Sequence, residues 1–454
     1  DASLTAGTLD ATMRANEEGQ ARVEKAELGG GVTLDGRDSD GLRIRAEARQ
    51  ITAWPQRDRA ILLGDAETPA SVRRDQTSIE AGQLELDGRI GLVDAFGAGR
   101  LEHEIQDPDR DKRGRLTARW SQQMLLNDET GDAALHGEVV TRIVRKHEED
   151  KIEAESVTIR FTPRDEAVEG ASPGIALETG AEAASGRQFL GAIAIGEVLG
   201  GSGDGLAQVR SGRWVADATA EGGRRLVSLL SLEGPRIDAD AVEGTLDVPG
   251  AGRLVMLDHR ASDEEADEGA AGAQDEQVSA AAEAAGPDPL QPEQMAHGET
   301  LITWQGAMEM RRASGRLDID RAVRLSHRPN PDDPLVNLDC ERLEARMRET
   351  GAGAGGPGDQ FAGELISAEA FGAVWAQSGQ RELVADRLTY DAITRDIEAT
   401  APGSIVVLFD GARGATATAS RILWNIATDH IRIEEPGSVT APAPQRPGRE
   451  GGGG

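Results

Sequence analysis

The sequence predicts an all-β fold, elongated and built from repeats in the manner of a β-solenoid. Three features predict it: apolar and polar residues alternate over short runs, helical periodicity is scarce, and one short pattern recurs along the chain. Alternation with a period of two puts one row of side chains on each face of a strand. It is plain in Ile79-Glu80-Ala81, Leu84-Glu85-Leu86, Val157-Thr158-Ile159 and Ile431-Arg432-Ile433, in runs bounded by Gly, Asp, Asn or Pro. Ile405 to Phe409 is apolar without a break. That run predicts a strand buried on both faces, or one at a sheet crossing.

The recurring pattern reads apolar, any, small, any, any, apolar, any, apolar. It occurs as Leu4-Ala6-Leu9-Ala11, Ile79-Ala81-Leu84-Leu86, Ile152-Ala154-Val157-Ile159, Leu338-Cys340-Leu343-Ala345, Leu383-Ala385-Leu388-Tyr390 and Ala417-Ala419-Ile422-Trp424. The two-residue spacings hold side chains on one face. The three-residue step between the pairs switches face and predicts a bulge or corner there. Cys340 takes the small position, so it reads as a core residue; one cysteine allows no internal disulfide and no cysteine-based zinc site.

The last two copies belong to a tandem. Tyr390-Asp391 matches Trp424-Asn425, and Pro402-Gly403-Ser404-Ile405 matches Pro436-Gly437-Ser438-Val439, both at an offset of 34 (424 − 390 and 436 − 402). A larger repeat brings Gly97-Ala98-Gly99-Arg100-Leu101 back as Gly250-Ala251-Gly252-Arg253-Leu254, an offset of 153 (250 − 97). Trp120 and Val139 return as Trp304 and Val323, an offset of 184 (304 − 120). The difference, 184 − 153 = 31, marks an insertion between the two anchors. The acidic, Ala-rich stretch 261–297 supplies it; without an apolar face it is expected to be disordered. Gly351 to Gly358 is a second soft segment, and 441–454 reads as an unstructured tail. The ordered parts are then three β segments, 1–102, 103–260 and 298–440, expected to stack as one continuous structure because each repeat buries only a strip.

Composition excludes several function classes. A formal net charge of −31 over 454 residues opposes nucleic acid as a partner, since such a groove needs cations to displace phosphate counterions. Aromatics make up only 3% of the chain, so the core must be aliphatic. The longest apolar stretch, Phe189 to Gly201, carries Glu197 and is too short to span a bilayer as a helix. The chain starts at Asp1 without Met, which suggests that a signal peptide or anchor has been lost.

Motifs that could carry catalysis are weak. Gly170-Ala171-Ser172-Pro173-Gly174 matches G-x-S-x-G, but Pro173 has no N–H for an oxyanion hole, so a loop is expected. Gly200-Gly201-Ser202-Gly203-Asp204-Gly205 lacks the Lys-Ser/Thr of a phosphate loop and reads as a turn. His147-Glu148-Glu149-Asp150 has no second His at ligand spacing and reads as solvated charge in a polar loop. No catalytic residue, metal site or cofactor is expected.

The run Ile61-Leu62-Leu63-Gly64-Asp65, Thr68-Pro69-Ala70-Ser71-Val72 and Ile79-Glu80-Ala81-Gly82-Gln83-Leu84-Glu85-Leu86-Asp87 resembles the OstA-like family, which includes the periplasmic Lpt bridge components for lipopolysaccharide. Leu383 to Asp391 and Ala417 to Asn425 repeat its closing phrase, and Gly29-Gly30-Gly31-Val32-Thr33-Leu34 and Leu135-His136-Gly137-Glu138-Val139-Val140 resemble its strand starts. The resemblance implies a twisted β jelly roll located in the periplasm or cell envelope; the chain departs from the family's small bridge proteins in its length, in having several units in tandem and in its acidic insert. It implies a non-catalytic role in moving lipopolysaccharide or a similar lipid to the outer membrane, with docking to other β-jelly-roll proteins through strand edges. The residues expected to line a lipid groove are Ile79, Leu84, Leu86, Ile152, Val157, Ile159, Leu338, Leu343, Leu383, Leu388 and Ile422. Periodicity alone leaves open whether they line a groove or fill a closed core. The alternatives are a structural β-solenoid scaffold or adhesin, and a carbohydrate-active parallel β-helix.

Overall fold

A computed structural model describes residues 3–15, 20–37, 43–65, 67–74, 76–105, 113–127, 129–161, 189–196, 205–216, 223–240, 242–258, 299–328, 334–349 and 363–440. The insertion at 261–297, the segment Gly351 to Gly358, the tail at 441–454, the motif at 170–174 and most of that at 200–205 lie outside the described residues. The protein is all-β: β-strands and short 3-10 turns make up its regular structure, with no α-helix among the described residues. Among the described residues, no helix is long and apolar enough to cross a membrane.

The chain divides into two units, the first taking 1–261, 309–313 and 349–362, the second 262–308, 314–348 and 363–454. The boundary read from the sequence at 102 falls inside a single strand.

In the first unit, β1 (Ser3–Thr5) and β2 (Thr8–Ala15) lie end to end along β3 (Ala21–Arg37), which pairs with β4 (Arg43–Trp54). β5 (Arg59–Leu63) and β6 (Ala70–Arg74) share the next place, followed by β7 (Thr77–Asp87) and β8 (Leu92–Ile105). β9 (Gly114–Trp120) and β10 (Gln123–Asn127) share the place after that, and β11 (Asp132–Arg145) and β12 (Glu148–Phe161) follow. β13 (Phe189–Ile195) and β14 (Ala207–Ala216), β15 (Arg224–Gly234) and β16 (Arg236–Asp240), and β17 (Thr245–Pro249) and β18 (Gly252–Asp258) follow, the two strands of each pair sharing one place.

The chain then forms β19 (Glu299–Trp304), β20 (Ala307–Arg311), β21 (Arg316–Arg328), β22 (Val336–Glu349) and β23 (Gly363–Ser378). β24 (Arg381–Asp391) follows, then the half-strands β25 (Asp396–Thr400) and β26 (Val406–Asp410), then β27 (Ala415–Asn425) and β28 (His430–Thr440). The registers of these strands are antiparallel, as in the first unit, so the parallel β-helix alternative is not this fold.

Full-length strands and pairs of half-strands therefore occupy equivalent places, which sorts every ladder into two walls. In the first unit one wall holds β6, β9 and β14 and the other holds β5, β10 and β13; in the second unit β26 belongs to one wall and β25 to the other. Each long strand crosses from wall to wall at a register shift: Gly29/Val32, Ala81/Gln83, His136/Val139, Asp320/Val323 and Phe371/Val374. These are the corners that the three-residue step predicts. Ala81, Ala154, Cys340, Ala385 and Ala419 are buried just before the crossing. Four of them pair with a buried valine on the neighbouring strand: Ala154 with Val139, Cys340 with Val323, Ala385 with Val374 and Ala419 with Val406.

The glycine-rich "strand starts" are corners in mid-strand, which corrects the sequence reading. β3 runs unbroken through Gly30 and Gly31, and β11 through Gly137 and Glu138, all at positive φ. In the repeated motif of β8, Gly97 takes φ 81 at its corner, and a Cβ on Gly99 would strike the Trp120 ring. Ile405 to Phe409 is not buried on both faces: Ile405 and Phe409 are exposed while Val406 and Leu408 are buried. From Val406 the run belongs to β26, which pairs with one half of β24 and one half of β27 and so lies within a single wall rather than at a crossing.

One turn joins the strands repeatedly. After Trp54, Asp87, Asn127, Asp240, Arg311, Asp391, Asp410 and Asn425 the chain turns over four residues, the fourth at positive φ: Asp58, Gly91, Gly131, Gly244, Gly315, Arg395, Gly414 and Asp429. Where Asp or Asn opens the turn, its side-chain oxygen accepts from backbone N–H groups two or three residues on, as Asp391 does from Ile393 and Thr394 at 2.9 Å. Tyr390-Asp391 and Trp424-Asn425 are two copies of this turn.

Candidate functional site

The candidate site is the inner face of the walls. All eleven residues singled out from the sequence stand on it. In the first unit Ile79 and Ile152 belong to one wall and Leu84, Leu86, Val157 and Ile159 to the other. In the second, Leu338 and Leu383 belong to one wall and Leu343, Leu388 and Ile422 to the other. Nine are buried; Leu86 and Ile152 are half-buried. Leu28, Ile51, Leu62, Leu116, Met124, Leu232 and Ile319 extend the same rows and were missed by the sequence pattern, because they lie outside its copies.

Leu84 and Leu383 have no exposed surface, so the described interior is filled by its own side chains at these points. The first copy of the pattern differs: Leu4, Leu9 and Met13 on β1 and β2 are exposed. Trp120 and Trp304, equivalent in the repeat, are both buried at the ends of β9 and β19. Cys340 is buried opposite Val323, and burial pushes its thiol up to about 12.

Polar groups enter the interior at one rim of the first unit. Arg145 closes β11 with its guanidinium 3.4 Å from Asp150 and 3.7 Å from Glu148, and Ser211 Oγ donates to Asp150 at 2.7 Å. Arg145 and Asp150 are both buried. This overturns the reading of His147 to Asp150 as solvated charge in a loop. His147 lies in a two-residue bend, but Asp150 is already in β12 and turns inward, where β14 brings it Ser211 from 61 residues away. Local sequence has no signal for that. A buried carboxylate is tolerable only with such partners. Among the described residues, no group of three His, Cys, Asp or Glu is placed to hold a metal.

The outer faces carry ion pairs between residues two apart on one strand, such as Arg45–Glu47, Lys151–Glu153 and Arg236–Asp238. At such exposure each is worth little to stability. No family model matches the chain, and no curated protein matches it in sequence.

Proposed function

We propose that this protein is a non-catalytic lipid-handling component of the bacterial cell envelope, a bridge or accessory in carrying lipopolysaccharide or a similar lipid to the outer membrane. The inner face is the observation that supports this most. Its aliphatic rows repeat strand after strand on both walls, and they are uncovered at Leu4, Leu9 and Met13. An acyl chain placed along such rows gains about 0.8 kcal/mol per buried methylene. The interior is packed at Leu84 and Leu383, so the walls must part to admit it. Rows of similar residues give similar affinity along the path, which suits passage better than one deep site. The resemblance of its motifs to the OstA-like family supports a periplasmic location for this role. The edge of β1 and β2 away from β3, which pairs with no other strand among the described residues, offers backbone groups for pairing with another β protein.

A packed interior also supports a second reading, a purely structural scaffold. Photocrosslinkers placed at Leu84 and Leu388 in cells separate the two. A lipid adduct at these positions is expected. Clean incorporation without a lipid adduct at any inward position would leave the scaffold.

A further inference from the structure

We infer that Arg381 is a latch that holds the two walls of the second unit together on the side opposite the corner. The strands join the walls at the corner, where β24 and β27 pass from one to the other. At the far rim the walls must be held by side chains. Arg381 is the first residue of β24 and stands at that rim, pairing in register with Asp410 of β26 on its own wall. Its Nε lies 3.6 Å from Asp410 Oδ2.

The same guanidinium reaches the other wall. Its Nη1 is ion-paired with the Asp429 carboxylate and lies 3.4 Å from the Asp429 carbonyl oxygen. Asp429 is the fourth residue of the turn between β27 and β28. The guanidinium also sits 5.9 Å from the ring centre of Trp424, a buried residue that pairs with Ile397 and Ile431 on that wall. One side chain thus spans both rims.

Its contacts are graded in a way that suits release. Asp429 is 62% exposed, whereas the Arg381 and Asp410 side chains are 12% exposed. Salt therefore screens the pair across the walls far more than the pair within one wall. When the latch opens, Arg381 keeps Asp410 as a partner, so no charge is stranded; the exposed Arg413 also faces Asp410, at 3.9 Å. The buried indole N–H of Trp424 has no hydrogen-bond partner in the closed arrangement. Opening gives it access to an acceptor, which lowers the cost of parting the rims.

The test uses the full chain and two variants. Asp429→Asn removes the charge across the walls at an exposed site and leaves the Arg381–Asp410 pair intact; Arg381→Gln removes both. Amide hydrogen exchange is read by segment, beside binding of the apolar dye N-phenylnaphthylamine. Asp429→Asn is expected to speed exchange several-fold at 406–410 and 421–434 only, with more dye bound, and 1 M NaCl should do the same to the unaltered protein. Arg381→Gln should exceed tenfold in the same segments. Unchanged exchange in Asp429→Asn, or a uniform rise across both units in Arg381→Gln, would overturn the latch. The inference does not depend on what enters: local opening without a lipid adduct at any inward position would keep the latch and refute the lipid reading.

Discussion

The same pattern of residues stands at 4–11 and at 79–86, with opposite outcomes. Leu4 and Leu9 are 50% and 64% exposed, whereas Ile79 and Leu84 are 6% and 0% exposed. Both copies form strands, both switch walls in the middle, and both pair in antiparallel register. The difference is in what flanks them. β7 has paired strands on both sides, while β1 and β2 pair only with β3 among the described residues. Burial here is a property of the stack rather than of the repeat, as expected when each repeat covers only its neighbours.

The sharpest probe of this contrast is a thiol at the small position of the pattern. With its thiol pushed up to about 12, only about one Cys340 in ten thousand is thiolate at pH 8. Alkylation should run about a thousandfold slower than for a free cysteine. In a Cys340→Ala background, Ala6→Cys occupies the matching place in the first copy and should react within about tenfold of a free thiol. Equal rates at the two places would break the comparison.

Core truncation comes next. Leu84→Ala and Leu383→Ala should each cost about 3 kcal/mol in denaturant unfolding, since both leave a cavity in a packed interior. Turn capping is smaller. Asn425 accepts from Thr428 N–H at 2.8 Å and donates to the Thr394 carbonyl at 2.8 Å, so Asn425→Ala should cost about 1 kcal/mol.

The equivalent turn at Asp391 adds a pH dependence. The Thr394 and Ile393 N–H groups hold the Asp391 carboxyl below its ordinary value. Its contribution is therefore complete above the unfolded pKa and fades as pH falls through the lower folded one. Asp391→Asn keeps the turn and should flatten that part of the acid limb in a stability–pH series. The smallest effect is expected at the first copy: Leu9→Ala should change stability by less than about 0.5 kcal/mol, because the side chain is already in water.

Much of the fold was legible in the sequence because its signals are local. The period of two gives strands, and the three-residue step gives the crossing, as at Ala81 and Leu84. Cys340 could be read as core from its place in the pattern. The turn, found eight times among the described residues, was not read as such from the sequence, although two copies open at the repeated Tyr390-Asp391 and Trp424-Asn425. It is defined by a positive φ at its fourth residue, a position held by Gly, Asp or Arg, and the copies are not evenly spaced. The inward role of Asp150 and the span from Arg381 to Asp429 were hidden for another reason. Each depends on a partner 61 or 48 residues away that only the registers bring into reach.

The sequence by itself determined that this chain is all-β, that its strands change walls at small residues, and that its inner rows are aliphatic. Those properties follow from side-chain periodicity, which a single strand already carries. Only the tertiary structure decided which rows are covered, which acid turns inward, and that the interior is filled at Leu84 and Leu383 and latched at Arg381. These depend on a second wall, and no stretch of sequence specifies how closely two walls approach.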